Sequence, residues 1–136
     1  MPDIRPELSK DNRYWIERHR YYELKHFCLQ YKSWKTYIRE IDGMKSKNFP
    51  GGVSGKNFSN PTLTAVELRE LYSAKVKLIE DCANQASPEL SGYILKAVTE
   101  ELSYDNLRLV HGLPCGREMW YMLYRRFFYI LSCSRK

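Results

Sequence analysis

The chain lacks any apolar run near the roughly 20 residues that a bilayer-spanning helix needs, so no membrane span is expected. It has no Cys-x-x-Cys spacing among Cys28, Cys82, Cys115 and Cys133 and no signal-peptide pattern, so free thiols in the cytoplasm are the expectation. Histidine is scarce. His19 and His26, seven residues apart near Cys28, fall short of the three or four converging ligands of a structural metal site. No Gly-rich phosphate loop is present: "PGGVSGK" (Pro50–Lys56) has neither the spacing nor the preceding strand. Cys115 has no histidine beside it in sequence, and Glu100, Glu101 and Asp81 read as solvated faces rather than an acid–base pair. Neither an enzyme nor a metal or cofactor is expected. Internal repeats and strand-like alternation are also missing.

What is present is basic charge, unevenly spread. The 136 residues carry a net charge of +6. Residues 1–47 hold eleven Lys/Arg against seven Asp/Glu, residues 63–103 four against seven, and residues 104–136 six against two. Basic ends flank an acidic middle, so a polyanionic partner would meet the ends.

The pattern is helical throughout. From Ser9 to Asp42 there is no Pro or Gly, and Leu24, Phe27, Tyr31, Trp34, Ile38 and Ile41 recur with gaps of 3, 4, 3, 4 and 3. That spacing predicts one long helix packed on a partner. Gly43–Pro61, rich in Gly, Ser, Asn and Lys, reads as a flexible loop. Thr64 and Glu67 have capping-box spacing ahead of a second long helix, with Leu68, Leu71, Leu78, Ile79 and Cys82 on its buried face. Ser87, Pro88 and Glu89 restart the chain as a helix with Leu90, Tyr93, Ile94, Ala97 and Val98 on one face. Ser103 then caps a short helix that Gly112 ends, and a last helix runs from about Cys115 to Leu131. The expected fold is all-α: a long helical hairpin (1–86, with a flexible loop at 43–61) followed by a three-helix C-terminal helix-turn-helix unit (87–136).

A short helix, a glycine turn and a longer basic helix form the arrangement that places a recognition helix in the DNA major groove. Leu107, Val110, Leu113, Met119, Leu123, Phe127 and Ile130 would share a small core. Arg117, Glu118, Tyr121 and Arg125 would then face outward, and Arg108 and Tyr124 complete the expected DNA-facing set. Arg108 stands where such motifs usually carry a small residue. In the N-terminal stretch Tyr14, Trp15, Tyr21, Tyr22, Tyr31, Trp34 and Tyr37 exceed what one helix face needs; they read first as core with an amphipathic rim, and Tyr14, Trp15, Tyr22, Tyr31 and Trp34 are the ones singled out beyond that. They are the candidate surface for a partner or a second copy, since Tyr and Trp are enriched in interface hot spots.

The segment Pro88–Leu131, through "LKAVTE", "SYDNLRLVHGLPCGRE" and "YRRFFYIL", resembles the RinA/ArpU-like regulators of phages and prophages, whose C-terminal domains are similar to region four of sigma factors. The resemblance implies sequence-selective binding of double-stranded DNA, control of phage genes in a bacterial host cell, and Arg117 with its neighbours at the DNA. A homodimer would read two half-sites. The rival expectation is a phage-encoded inhibitor of host machinery that binds RNA polymerase or a CRISPR effector, an anti-CRISPR in the latter case.

Overall fold

The computed structural model describes residues 12–46 and 64–135. Within them lie six helices and no strand: α1 (Arg18–Leu29), α2 (Tyr31–Ser46), α3 (Ala65–Ala86), α4 (Ser91–Glu100), α5 (Tyr104–His111) and α6 (Arg117–Ser134). The chain is all-α as expected. The single long N-terminal helix is not: it stops at Leu29, where the Gln30 N–H turns back to the Phe27 carbonyl at 3.2 Å, and α2 restarts at Tyr31. A bond of that short span tightens a last helical turn and ends it without Pro or Gly. Of the loop expected at 43–61, residues 43–46 are helical, because α2 continues to Ser46; the rest, from 47, lies outside the described residues.

Helix ends are set by local chemistry. Glu17 accepts the N–H groups of His19 and Arg20 at 2.9 and 3.2 Å and starts α1. Thr64 and Glu67 exchange reciprocal bonds of 3.1 Å, a complete capping box ahead of α3. Ser87 Oγ accepts from Leu90 N–H at 3.3 Å, yet residues 88–90 form a turn and the regular helix begins only at Ser91. Ser103 caps α5 through Asn106 N–H at 3.1 Å. Gly112 ends α5 at φ 74°, a left-handed conformation that costs glycine nothing, and Leu113 N–H closes onto the Leu107 carbonyl at 3.0 Å.

The chain divides into two compact units, residues 12–30 with 78–135 and residues 31–46 with 64–77, with α3 running through both. In the smaller unit Lys75 Nζ lies 5.3 Å from the Trp34 ring centre, the Tyr37 and Tyr72 rings are 5.1 Å apart, and Arg69 holds Asp42 at 2.7 Å. The three pairs rise along α2 while falling along α3, so the two segments are antiparallel. Leu71, expected inside, is exposed. The inward row steps by four from Leu68 to Tyr72 to Val76, which brings Tyr72 onto Tyr37 and turns Leu71 away. Tyr31 and Trp34, expected at an interface, are buried and serve as core.

In the larger unit α1, α4 and α6 pack against one another. Tyr21, Leu24, Phe27 and Cys28 of α1 are buried there, with Ile94, Ala97 and Val98 of α4. The buried row of α6 is Trp120, Leu123, Phe127, Phe128 and Leu131. Met119, expected inside, is 52 % exposed, and Ile130 is only half-buried. The helix is rotated by about one residue from the expected setting. Both settings share Leu123 and Phe127. The observed one removes Trp120 and Phe128 from water, and aromatic side chains carry the largest apolar area per residue. Val110, also expected inside, is 68 % exposed, while Leu107 and Leu113 are buried.

Cys28, Cys82, Cys115 and Cys133 are free thiols. Burial pushes the Cys28 thiol far above its ordinary value of 9.0, neighbouring Cys82 pushes the same way, and Arg135 partly counters them. A raised folded pKa contributes stability that is whole below the unfolded value and is lost as pH rises above it. Above pH 9 the unfolded thiol therefore ionises while the folded one does not, and folding should weaken by about tenfold per pH unit from this group. Melts of the parent and of Cys28→Ala across pH 8 to 10.5 should show the flatter profile in the variant; parallel profiles would remove Cys28 from the alkaline response.

The rotation of α6 makes a second prediction. Trp120→Ala should cost about 3–5 kcal/mol through a core cavity, and Met119→Ala less than about 0.5 kcal/mol. Urea midpoints would check this, and a large loss at Met119 would restore the expected setting.

Candidate nucleic-acid interface

The α5–α6 connection builds a surface at the start of α6. After Gly112 the chain returns along α5: the carbonyl of Cys115 accepts Tyr104 Oη at 2.9 Å and Arg108 Nη1 at 3.3 Å. Gly116 then leads into α6 with extended backbone, and no side chain caps its first N–H groups. Uncapped donors and the helix dipole make such an end receptive to an anion.

Arg117 opens the helix and is held by four groups. Its Nη2 donates to Asp105 Oδ1 at 3.0 Å and its Nη1 to Tyr121 Oη at 3.0 Å. Its guanidinium carbon also lies 4.7 Å from the Tyr104 ring centre and 5.9 Å from that of Tyr121. The Tyr121 hydrogen bond is first among the causes that raise its pKa, so it stays charged throughout. The site is solvated: Arg117 and Asp105 side chains are both more than half exposed. Exposed pairs of this kind are weak and screened by salt. Arg117 is oriented without being locked.

The other expected DNA-facing residues scatter. Arg108 and Glu118 are exposed. Tyr121 is half-buried against Tyr104, with ring centres 6.3 Å apart. Tyr124 points towards α1: its hydroxyl lies 3.3 Å from that of Tyr21, and its ring is 5.0 Å from Phe128. Tyr124 is thus a core-edge residue and not part of an outward face. Arg125 is half-buried, and its Nε is enclosed with no hydrogen-bond partner. The rotation that buried Trp120 is the physical reason, because it turns Tyr121, Tyr124 and Arg125 towards the flanks of the packed seam. The outward face instead carries Glu118, Met119, Tyr129 and Cys133, with Met122 and Arg126 half-buried beside them.

Several surface features went unmarked in the sequence. Leu109 is 84 % exposed and stands with Val110 on the side of α5 away from the core. The signal for this was the three-residue step from Tyr104 to Leu107, which leaves 109 and 110 on the far side. Of the expected partner surface, Tyr14, Trp15 and Tyr22 are half-buried; Tyr14 packs on Tyr129 at 5.7 Å and Tyr22 on Tyr21 at 5.2 Å.

Among the described residues no three His, Cys, Asp or Glu side chains converge as metal ligands, and no helix is long and apolar enough to cross a membrane. Cys115 sits one residue before the α6 cap, yet burial raises its pKa and Arg108 only partly opposes this, so it is not an activated thiol. Compared with family models, curated proteins and solved structures, the chain finds no match in any of the three.

Proposed function

We propose that the chain is a phage-type, DNA-binding transcriptional regulator in which α5, its glycine turn and α6 act as a helix-turn-helix, with the start of α6 in the major groove. The main support is the placement of Arg117: exposed, charged and held at an uncapped helix N-terminus beside Arg108. To read guanine with two parallel bonds, Arg117 must give up Asp105 or Tyr121. That exchange releases an exposed, solvated contact, which costs little, and gains a bidentate base contact, which discriminates strongly. Glu118 and Met119 stand next to it, one able to accept from cytosine and the other to touch a thymine methyl. A homodimer would place two such helices on two half-sites, with Tyr14, Trp15 and Tyr22 as the half-exposed aromatics of the expected partner surface.

A second reading is favoured by Leu109, Val110 and Met119, large apolar side chains left in water around the same two helices. Exposed apolar groups of this size mark protein contacts. In that reading the chain is a phage-encoded inhibitor that docks on RNA polymerase or a CRISPR effector.

Gel-shift titrations on duplexes of selected and random sequence separate the two. Arg117→Ala should weaken binding to the preferred duplex by on the order of ten- to a hundredfold and flatten the preference. Leu109→Ser with Val110→Ser should leave DNA binding unchanged. Total indifference of the parent to duplex DNA, with light scattering showing a monomer, would overturn the regulator in favour of the inhibitor.

A further inference from the structure

The break between α1 and α2 has no breaker residue. Neither Pro nor Gly stands between Ser9 and Asp42, and Leu24, Phe27, Tyr31, Trp34 and Ile41 keep heptad spacing and stay buried on both sides of Gln30. Without Pro or Gly, a helix breaks where a side chain enters its ladder of backbone bonds. Gln30 does this. Its backbone N–H turns to the Phe27 carbonyl, three residues back, at 3.2 Å. In a regular helix that N–H would go to the carbonyl four residues back, which is that of His26. The Gln30 side chain takes this carbonyl instead, with Nε2 donating to the His26 oxygen at 3.3 Å. One residue therefore carries two donors for the same acceptor. The backbone N–H serves His26 in a continuous helix, and the side-chain amide serves it in the broken one.

Little separates the two forms. Gln30 has φ −85° and ψ −5°. A regular helix has φ near −63° and ψ near −42°, so about 20° in φ and about 40° in ψ would join α1 to α2. His26 and Gln30 are both exposed, so the amide can swing away through solvent without unpacking the core. The buried row suits either form, because heptad spacing puts the same residues on one stripe of an unbroken helix. A short three-residue bond inside an otherwise regular helical stretch is a frequent mark of a hinge. The chain also changes compact unit at this residue: position 30 belongs to one and position 31 to the other.

We infer that Gln30 is a two-state hinge at which α1 and α2 exchange between a broken and a continuous helix, with the His26 carbonyl passed between its side-chain and backbone donors. Each form keeps that acceptor satisfied, so neither carries the penalty of an unmade bond. A partner that binds one form better shifts the balance by its differential affinity, which gives the chain a conformational response to binding. The hinge does not depend on the reading of α6 as a DNA-facing helix.

The test is NMR of the isotope-labelled full chain and of three variants at this exposed position. Gln30→Glu keeps side-chain length and helix propensity but cannot donate to a carbonyl, and its charge is unfavourable at the end of α1 in the broken form. It should move the ratio of the two forms about two- to tenfold towards the continuous helix. Gln30→Ala should move it the same way. Gln30→Gly should lie about four- to fivefold back towards the break relative to Gln30→Ala. The Cα shifts of Leu29 and Tyr31 read the balance. In the Glu and Ala variants they should move towards helical values, and coupling across the hydrogen bond should join the Gln30-position nitrogen to the His26 carbonyl carbon. The α4 and α5 shifts should stay in place. Leu29 and Tyr31 shifts that ignore the Glu and Ala changes, with coupling still to Phe27, would make the break a fixed kink and overturn the hinge.

Discussion

The aromatic seam between α6 and α1 sets everything that faces outward. Phe128 sits edge-on to Tyr21 at 5.1 Å and to Phe127 at 5.0 Å, and Tyr124 closes the cluster at 5.0 Å from Phe128. Trp120, Phe127, Phe128 and Leu131 are all withdrawn from water. A helix packed by side chains of this size has one low-energy rotation, because a turn of one residue exposes Trp120 and drives Met119 inward. The rotation in turn decides which residues are available. Glu118 and Met119 are presented, Tyr124 is spent on packing, and Arg125 is drawn part-way in. The candidate surface is a consequence of the core.

What was legible in the sequence was what neighbouring residues decide. The Thr64–Glu67 box, the Ser103 cap and the Gly112 stop each act within a few residues, and each is present. The rotation of α6 was not legible. A row of Met119, Leu123, Phe127 and Ile130 has the same helical spacing as one built on Trp120 and Leu131. The choice between them is made by Tyr21 and its neighbours on α1, about a hundred residues earlier in the chain. The break at Gln30 was hidden for a related reason: the heptad spacing runs from Leu24 to Ile41 without a Pro or Gly, and all of that row but the half-buried Ile38 is inside. The pattern reported burial correctly and continuity wrongly. For the site, Arg108, Arg117 and Glu118 could be placed from spacing because they flank a turn; Tyr31 and Trp34 could not be told from core, because a surplus of aromatics does not say which are covered.

The two ends of α6 are held by different chemistry. At its C-terminal end Arg20 of α1 reaches across, with Nε donating to Ser132 Oγ at 3.2 Å and Nη2 to the Ser132 carbonyl at 3.0 Å and to that of Arg135. Carbonyls there have no partner within the helix, so a cation from another element satisfies them and suits the dipole. Arg135 adds its guanidinium over the Phe27 ring at 4.3 Å. These are charge-assisted bonds in part-buried surroundings, the stronger kind. At the N-terminal end Arg117 is held by Asp105 and Tyr121 in open solvent, the weaker kind.

That asymmetry bears on how a ligand could act. Between the ends, the Trp120–Leu131 seam fixes rotation whatever happens at Arg117. An anion arriving at the first turn can take over the Arg117 donors one for one, and the helix need neither turn nor slide. Changes at the C-terminal clamp are different: loss of Arg20 removes the donor to the Ser132 and Arg135 carbonyls and loosens the end packed against α1. Exchange of partners is therefore cheap at the start of α6, where the exposed and uncapped groups lie, and expensive at its end. The helix is held firmly at one end and along its length, and its charged, solvated tip is the part whose contacts exchange at least cost.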